Sequence, residues 1–317
     1  MNRKNILVIG GAGYVGGITT DLLSAAGHRV TVFDNLMYEK RYLKDCNFIY
    51  GDVRDTAKLL NIHQKFDTII WLAAIVGDGA CAQNPDLTKS VNVDSLKNFL
   101  QSAKRRLIYL STCSVYGAQN KILDEESRTK PLSLYAYTKL EAEKLVAEYD
   151  GLIFRLGTLF GLGDNYSRIR LDLVVNFLVL RAFRDNHISV FGGEQWRPLL
   201  AVTDVANYLT EAVTTNFTGI YNLKFENVKI SDLANRLKVI FPKLTVKFND
   251  IQFEDFRNYR VSSKKAEKDF KFKPVITIEQ EAKRLKKLLT EGRILNVNED
   301  NYYNTNFVKA LMYNHEI

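Results

Sequence analysis

Tyr135 and Lys139 are the two residues whose types and spacing most directly suggest a chemical reaction. They lie four positions apart at the start of a predicted helix over residues 135–148, so both side chains share one helical face. A neighbouring ammonium group favours the phenolate, and we therefore expect Lys139 to lower the pKa of Tyr135 towards neutrality. Such a tyrosine can exchange a proton with an alcohol or a keto oxygen. Alone, however, the pattern Tyr-x-x-x-Lys is more typical of a surface helix.

A segment rich in hydroxyl groups, Ser111-Thr112-Cys113-Ser114, follows the apolar run at residues 106–110. This run is predicted to be a buried strand. The carboxyl ends of strands in an open α/β sheet line a cleft in which ligands bind. We therefore expect the hydroxyl groups of the segment to point into that cleft.

A glycine-rich segment near the start of the chain is the next motif that suggests a ligand site. Its sequence is Gly10-Gly11-Ala12-Gly13-Tyr14-Val15-Gly16. It follows an apolar run at residues 6–9 and precedes apolar residues at helical spacing, 18–26. Glycines permit positive φ, let backbone N–H groups approach a pyrophosphate, and let a helix and a strand pack closely. The phosphate then meets the positive end of the helix. The segment therefore predicts a strand, a turn and a helix that bind a dinucleotide.

Asp34 ends the next apolar run, residues 29–33, near the spacing at which an acid accepts hydrogen bonds from an adenosine ribose. A carboxylate at this position would repel a 2′-phosphate, which favours NAD over NADP. The alternative is an ordinary glycine turn followed by a surface aspartate. The order of strand, turn, helix, strand and acid favours the dinucleotide site.

The composition predicts a soluble α/β protein of the cytoplasm. The chain has 317 residues, 46% of them hydrophobic, and none of its apolar runs is long enough to span a membrane. This length suits two lobes around one sheet, or a single large α/β domain. The first four residues lead straight into the first predicted strand, which leaves no room for a signal peptide. The three cysteines, Cys46, Cys81 and Cys113, are too scattered for a disulfide framework.

The net charge of +8 restricts the candidate partners. It would attract an anionic substrate, although a charge of this size is also common on surfaces that bind nothing. The densest basic segment, residues 264–287, alternates with acidic and apolar residues like a solvated helix face, which argues against nucleic acid. The cysteines and histidines lack the spacing of a zinc site. We therefore expect no metal, no membrane and no nucleic acid among the partners.

Strands and helices alternate along the first half of the chain. The predicted strands lie at residues 6–9, 29–33, 48–50, 68–72, 106–110 and 152–154, and the predicted helices at residues 18–26, 56–63, 87–103 and 135–148. Such alternation predicts an α/β fold with a doubly wound parallel sheet and helices on both faces.

The alternation changes after Arg155. We therefore predict an NAD-binding Rossmann domain over residues 1–165 and a smaller C-terminal substrate-binding lobe over residues 166–317, some segments of which return to the first domain. The lobe is expected to contain a long amphipathic helix at residues 169–184 and short helices at residues 204–214 and 231–240. The polar stretch at residues 296–306 is predicted to be a linker or a loose tail.

Together, these motifs resemble the extended short-chain dehydrogenase/reductase family, and within it the NAD-dependent nucleotide-sugar epimerases and dehydratases. The resemblance rests on Gly10-x-x-Gly13-x-x-Gly16, Asp34, Gly51-Asp52-Val53, Leu72-Ala73-Ala74, Asn92, Ser111-Thr112 and Tyr135-x-x-x-Lys139. It continues through residues 155–158, 190–193, 196–198, 204–206 and 255–260, and so covers the chain from Ile6 to about Leu289. It implies a Rossmann-type sheet, the cofactor NAD and a nucleotide-sugar substrate.

Position by position, the resemblance also implies the site residues. The catalytic residues would be Thr112, Tyr135 and Lys139, with Thr112 bonding the reacting sugar oxygen. The cofactor would contact Gly10, Gly13, Tyr14, Val15, Gly16, Asp34, Asn35, Asp52, Val53, Leu72, Ala73, Ala74, Asn92, Ser111, Tyr135 and Lys139. The substrate would contact Thr112, Ser114, Asn176, Arg197 and Arg257, and the forked guanidinium groups of the two arginines suit a pyrophosphate. The helices at residues 87–103 and 135–148 would form the interface of a homodimer.

Departures from the family pattern narrow the expected reaction. The 4,6-dehydratases resemble Thr-Asp-Glu where this chain has Thr112-Cys113-Ser114, and the elimination of water needs that acid and base. The epimerase-reductases that form GDP-fucose carry a cysteine at the position of Ser114. Cys113 is one residue out of register with it, and side chains alternate along a strand, so we predict that Cys113 is packed.

These observations predict an NAD-dependent nucleotide-sugar epimerase or dehydrogenase that moves a hydride at one sugar carbon, C4, with Tyr135 as the base. The alternative is a reductase of nucleotide 4-keto sugars that uses NADH or NADPH, although Asp34 argues against NADPH. A 4,6-dehydratase and a non-catalytic dinucleotide sensor are less favoured, the sensor because Thr112, Tyr135 and Lys139 are all present. The sequence leaves the nucleotide and the sugar open.

Overall fold

The computed structural model describes residues 3–249 and 258–313. Its strands, numbered along the chain, are β1 (Asn5–Ile9), β2 (Arg29–Asp34), β3 (Asn47–Tyr50), β4 (Thr68–Trp71), β5 (Arg106–Thr112), β6 (Ile122–Leu123), β7 (Leu152–Leu156), β8 (Thr158–Phe160), β9 (His187–Phe191), β10 (Trp196–Ala201), β11 (Gly219–Leu223), β12 (Glu226–Lys229), β13 (Thr245–Asn249) and β14 (Arg260–Val261).

The α-helices are α1 (Tyr14–Ala25), α2 (Thr56–Ile62), α3 (Asp78–Gln83), α4 (Pro85–Lys89), α5 (Ser95–Leu100), α6 (Leu134–Glu148), α7 (Val174–Asp185), α8 (Val202–Ala212), α9 (Ile230–Arg236), α10 (Lys264–Phe270), α11 (Ile278–Thr290) and α12 (Asn304–Tyr313). A π-helical turn, Ser90–Asp94, joins α4 to α5. The helix predicted at residues 87–103 is therefore present as this composite segment. None of the helices in the described residues is both long enough and apolar enough to cross a membrane.

The main sheet confirms the predicted doubly wound architecture. Within the described residues it has seven strands in the order β11-β7-β5-β4-β1-β2-β3. Every neighbouring pair is parallel. The chain builds outward from β1 to β3 and then returns to the other side of β1 with β4. The carboxyl ends of β1 and β4 therefore flank the point where the strand order reverses, which is the usual ligand crevice of such a sheet.

Strand β1 shows why the sheet is buried on both faces. Ile6 and Val8 pack on the face covered by α1 and α8, whereas Leu7 and Ile9 pack on the face covered by α5 and α6. All four side chains are fully buried. Side chains alternate along a strand, so a strand covered on both faces reads as one continuous apolar run.

The second half of the chain contributes to both parts of the molecule. Strand β11 pairs with β7 at the edge of the main sheet, and α8 packs against α1. Helices α7, α9 and α11 surround a separate apolar core. Smaller sheets, β12-β10-β8 and β13-β9, lie in this part of the chain.

The helix predicted at residues 169–184 is wrong at its start, because α7 begins only at Val174. Tertiary partners take up the backbone groups before it. The Arg168 N–H donates to Glu39 Oε1 at 2.7 Å, and the Leu171 N–H donates to Tyr302 O at 3.0 Å. Residues 161–173 therefore form a loop, in which bonds to distant segments replace the bonds of a helix.

The loose tail predicted at residues 296–306 is also wrong. The chain there forms a short 3₁₀ turn, Asp300–Tyr302, and then enters α12 at Asn304. Asn304 is only 1% exposed. The polar side chains of this stretch were interpreted as solvated, but Asn304 bonds other parts of the protein.

Candidate active site

A cavity of about 310 Å³ opens at the carboxyl ends of the central strands. It gathers most of the residues that the sequence predicted for the site. Those that line it are Gly10, Gly13, Tyr14, Val15, Gly16, Asp34, Asn35, Asp52, Val53, Leu72, Ala73, Ala74, Ser111, Thr112, Ser114, Tyr135 and Lys139. They come from six separate stretches of the chain, which meet because parallel strands end at one edge of the sheet.

The glycine turn between β1 and α1 forms a cradle at this edge. Gly10 has φ +83°, and a Cβ atom there would lie 2.5 Å from the Ala73 nitrogen. A Cβ atom at Gly16 would collide with the Gly10 carbonyl oxygen. Neither position accepts a side chain, because the turn packs directly against the backbone after β4 and against itself where α1 begins. Free N–H groups and the helix dipole at this end suit a pyrophosphate.

Asp34 lies at the carboxyl end of β2, beside the cradle. Its Oδ2 accepts a hydrogen bond from the Ala12 N–H at 3.0 Å, and its Oδ1 accepts one from the Leu36 N–H at 2.8 Å. Burial raises the pKa of Asp34, and these two amides act in the opposite direction. A carboxylate has about four acceptor positions, so it retains capacity for the hydroxyl groups of a ribose.

Tyr135 and Thr112 both line the cavity, and the Thr112 side chain lies near enough to Tyr135 to act on its pKa. Thr112 is the last residue of β5, and Tyr135 lies in the first turn of α6, which Ser133 caps by accepting the Ala136 N–H. Two elements distant in sequence thus bring both hydroxyl groups to one point. A phenol and an alcohol side by side in one cavity can bind one substrate oxygen and pass a proton to or from it.

Lys139 lies one helical turn beyond Tyr135 and is 3% exposed. Its ammonium group is 4.3 Å from the centroid of the Tyr109 ring. Burial lowers the pKa of Lys139 from 10.5 to about 7, and the Glu143 carboxylate acts in the opposite direction. The side chain therefore changes its charge near neutral pH.

The prediction that Lys139 lowers the pKa of Tyr135 is wrong. Burial, followed by the neighbouring Cys81 and Asp78, raises the pKa of Tyr135 above its usual value of 10.0, and the nearby Thr112 side chain acts against the increase. The spacing of four residues gave the shared face correctly but carried no information on burial. Removal of both groups from water disfavours the charged form of each.

Ser111 and Ser114 line the cavity beside Thr112, but their hydroxyl groups already have partners. The Ser111 hydroxyl donates to Glu143 Oε1, and Ser114 Oγ is 3.1 Å from the Tyr259 hydroxyl. Cys113 between them is fully buried, and its thiol donates to the Arg155 carbonyl oxygen at 3.3 Å. The structure thus places Cys113 in the packed interior, as its register predicted.

Asn92 does not line the cavity. Its Oδ1 accepts the Ile75 N–H at 2.8 Å, and its Nδ2 donates to the Ile75 carbonyl oxygen at 2.9 Å and to Thr138 Oγ1. These bonds fix the backbone that follows Ala73 and Ala74. Asn92 therefore supports the backbone of the predicted cofactor site without lining the cavity itself.

Asn176 and Arg197, two of the predicted substrate contacts, also lie outside the cavity wall. The Asn176 amide bonds the backbone of Gly161 and the carbonyl oxygen of Arg170, and so braces the loop at residues 161–173. Arg197 is 5% exposed and donates to the Trp196 carbonyl oxygen. Arg257 lies outside the described residues.

Six polar residues of the cavity wall were not predicted as site residues: Tyr38, Glu39, Arg54, Thr158, Arg168 and Arg170. Arg170 pairs with Asp172, with 2.7 Å between Nε and Oδ1, and the Arg168 guanidinium lies 3.9 Å from the centroid of the Tyr38 ring. The alternating charges at positions 168, 170 and 172 were the available signal. They fit an extended segment, whereas we assigned most of this stretch to a helix.

The parallel sheet, the glycine cradle and the acid at the end of β2 define a Rossmann-type dinucleotide-binding protein. More narrowly, the chain belongs to the NAD dependent epimerase/dehydratase family, whose model matches residues 6–223. The cofactor of this family is NAD, and the cradle, Asp34 and the cavity fit it. Within residues 3–249 and 258–313, no cluster of three His, Cys, Asp or Glu side chains is placed to hold a metal ion.

Two curated relatives and one solved structure illustrate the similarity. The chain is 27% identical over 309 residues to UDP-glucuronic acid decarboxylase 1 of Danio rerio, which covers 88% of this chain and 71% of the relative. It is 32% identical over 158 residues to a UDP-glucose 4-epimerase of Rhizobium leguminosarum bv. trifolii, covering 47% and 48% of the two chains. The UDP-glucuronic acid 4-epimerase of Bacillus cereus, solved with UDP-glucuronic acid and NAD, has the same fold, with a TM-score of 0.76, 24% identity, and coverage of 90% of this chain and 99% of that chain.

Proposed function

We propose that this protein oxidises carbon C4 of a nucleotide-activated sugar with bound NAD and returns the hydride to the same carbon, as a 4-epimerase does. The observation that carries the proposal is that Thr112, Tyr135 and Lys139 line the same cavity as the glycine cradle. The names of the relatives support a nucleotide-sugar substrate.

Tyr135 acts as the general base that removes the proton of the sugar hydroxyl. Thr112 bonds the same sugar oxygen, and after oxidation both hydroxyl groups hold the ketone. When bound, NAD supplies the hydride acceptor, and its oxidised ring carries a positive charge that favours the phenolate of Tyr135. Burial lowers the pKa of Lys139 to about 7, so its ammonium group can release a proton near neutral pH.

Dehydration is disfavoured because the segment beside Thr112 offers no carboxylate for the elimination of water. Cys113 is buried away from the cavity, and Ser114 contributes a hydroxyl group. The carboxylates of the cavity wall lie elsewhere: Asp34 ends β2, Glu39 follows β2, and Asp52 follows β3. An acid and a base on adjacent sugar carbons are needed for elimination.

Decarboxylation of a nucleotide glycuronate is the second candidate, favoured by the guanidinium groups of Arg168 and Arg170 in the cavity wall. Oxidation at C4 of such a sugar produces a ketone two bonds from the carboxylate, and a β-keto acid loses carbon dioxide readily. The same Tyr135 and Thr112 would serve this first step. Asp34 continues to argue against an NADPH-dependent reductase, because its carboxylate would repel a 2′-phosphate.

The test combines the resident cofactor with product analysis. The purified protein is denatured and the released dinucleotide identified by mass spectrometry, and the intact protein is incubated with UDP-glucose and UDP-glucuronic acid and followed by proton NMR. Release of NAD together with a C4 epimer supports the proposal. Release of carbon dioxide from UDP-glucuronic acid supports the decarboxylase instead, and a 4-keto-6-deoxy product contradicts both.

We also propose a homodimer in the cytoplasm. Tyr137 on α6 and Leu132 just before it are 51% and 49% exposed, which supports a partner against this helix. The free cysteines Cys46, Cys81 and Cys113 support a reducing compartment. Analytical ultracentrifugation of the wild type and of Tyr137→Glu measures the first claim, with a monomeric wild type contradicting it.

A further inference from the structure

The C-terminal segment at residues 300–313 lies against the cavity. Helix α12 packs on α3, where Val308 is fully buried in a small apolar cluster with Ile75, Ala80 and Cys81. Tyr135 packs at the edge of the same cluster. The segment that the sequence predicted as a loose tail thus reaches the surroundings of the proposed base.

Asn304, at the start of α12, joins the two loops that flank the cavity. Its Nδ2 donates to the Val76 carbonyl oxygen at 2.8 Å, just after Ala73 and Ala74. Its Oδ1 accepts from Arg168 Nη2, and its backbone N–H donates to Asp172 Oδ2 at 3.0 Å. Both polar atoms of this buried side chain are therefore hydrogen-bonded: Nδ2 bonds the loop after β4, and Oδ1 bonds the loop at residues 161–173.

Arg168 is held by neutral acceptors. Its guanidinium group donates to the Asn301 carbonyl oxygen and to Asn304 Oδ1, and it stacks on Tyr38. Among the described residues it forms no ion pair with a carboxylate, since Asp172 pairs with Arg170 and Glu39 receives only the Arg168 backbone N–H. The positive charge of Arg168 is therefore left without a direct counter-ion in the cavity wall.

Two further observations indicate that a group of a ligand binds beside Arg168. The Tyr38 hydroxyl is buried and has no hydrogen-bond partner in the described part of the chain. Burial, followed by the neighbouring Arg170 cation, lowers the pKa of Arg168 to about 10, and the nearby Asp172 and Glu39 carboxylates offset this only in part. Guanidinium groups bind oxyanions through two parallel hydrogen bonds, and a desolvated cation gains most from such a partner.

We propose that residues 300–313 contribute to the active site. Asn301 and Asn304 hold Arg168 through neutral acceptors, and the charge of Arg168 then binds an oxyanion of the substrate. Asn304 is then a positioning residue and Arg168 a specificity-determining residue. The inference rests on the proposed function for the identity of the substrate. The oxyanion is a phosphate of the nucleotide or a carboxylate of the sugar.

Binding measurements on the NAD-loaded protein test the role of Arg168. The variants are Arg168→Gln, Asn304→Ala, the double variant, and Asn306→Ala, which changes an exposed asparagine of the same helix whose side chain bonds none of the described residues. Calorimetric titration uses UDP, UDP-glucose and UDP-glucuronic acid as probes. We expect Arg168→Gln to weaken binding roughly tenfold or more, Asn304→Ala to weaken it by less, and Asn306→Ala to match the wild type.

The pattern of losses identifies the oxyanion. An equal loss for all three probes assigns it to the phosphates, and a loss for UDP-glucuronic acid alone assigns it to the sugar carboxylate. Because Asn304 acts through Arg168, the double variant should bind no more weakly than Arg168→Gln. Additive losses, or wild-type affinity of Arg168→Gln for every probe, would overturn the inference.

Amide hydrogen exchange tests the positioning role without any substrate. In Asn304→Ala we expect faster exchange at residues 73–77 and 161–173, with the central strands and Asn306→Ala unchanged. Unchanged exchange in both loops, or an equal increase throughout the protein, would overturn the role of Asn304. Failure of the wild type to bind any probe contradicts the proposed function and the oxyanion together, whereas differences in exchange still decide the role of Asn304.

Discussion

Arg155 and Glu143 form a buried ion pair, with 2.7 Å between Nη2 and Oε2 and side chains that are 4% and 3% exposed. Glu143 lies four residues beyond Lys139, so α6 presents Tyr135, Lys139 and Glu143 along one face. The pair fastens α6 to β7, and the Ser111 hydroxyl fastens the same carboxylate to β5. The helix that carries the proposed base is thus fixed by two strands of the main sheet.

We expect the loss of this ion pair to destabilise the protein strongly. Glu143→Ala leaves the Arg155 guanidinium buried without its carboxylate, which costs about 3–5 kcal/mol in comparable cases. Urea unfolding measures the free energy of unfolding. Asp185→Ala, which breaks the more exposed pairs with Arg181 and Arg184, is the control and should cost less than about 1 kcal/mol. Equal losses in the two variants would contradict the buried role of Glu143.

Replacement of Tyr135 by phenylalanine should remove catalysis and leave the cofactor in place. The ring and its packing remain, but the hydroxyl group at the cavity wall is lost, and the loss of a general acid–base group lowers kcat by about 10²–10⁴. Tyr137→Phe changes an exposed tyrosine of the same helix and should keep the wild-type rate. Turnover and NAD content are measured on both. Near-normal turnover of Tyr135→Phe would remove this residue from the mechanism.

Asp34→Ala should weaken the binding of NAD more than that of NADP. The change removes an acceptor for the ribose hydroxyl groups and the charge that repels a 2′-phosphate, so we expect NAD affinity to fall about tenfold or more. Fluorescence titration with NADH and NADPH measures both affinities. Asp45→Ala, on the exposed side of the same loop, serves as the control. An unchanged preference between the two cofactors would show that Asp34 does not bind the ribose.

Lys139 should make the stability of the cofactor-free protein depend on pH. Its pKa is about 7 in the folded protein and 10.5 ordinarily, so between these values the unfolded chain binds more protons. The free energy of unfolding should therefore rise with pH in this range, by at most about 1.4 kcal/mol per pH unit from this group. Urea unfolding across the range, compared between the wild type and Lys139→Met, isolates the contribution. Parallel pH profiles in the two proteins would mean that Lys139 is not desolvated.

The cofactor half of the site could be predicted from the sequence because its signals are local. Gly10 and Gly16 are required by backbone geometry within one turn, Asp34 follows at a fixed distance along one strand, and the residues after β4 and β5 follow from where parallel strands end. Tyr135 and Lys139 share a face by helical spacing alone. Each inference needs only a short stretch of chain and the rule that parallel strands end together.

The substrate half could not be predicted in the same way. Asn176 and Arg197 have the right chemistry for a polar ligand, but the structure directs Asn176 to the backbone of a loop and Arg197 away from the cavity wall. Arg168 and Arg170 reach the cavity wall because residues 161–173 form a loop instead of a helix. Arg168 in this loop bonds residues more than a hundred positions away in the sequence. A sequence pattern within one segment does not identify partners that lie so far away in the chain.

The sequence by itself determined the parallel sheet, the dinucleotide cradle and the identity of the proposed base. These depend on the periodicity of apolar residues and on the conformational freedom of glycine, both of which are properties of short segments. Only the tertiary structure decided the direction in which the pKa values of Tyr135 and Lys139 shift and the place of residues 300–313. A pKa depends on what surrounds a group after folding, and a buried asparagine such as Asn304 differs from a solvated one only through its distant partners.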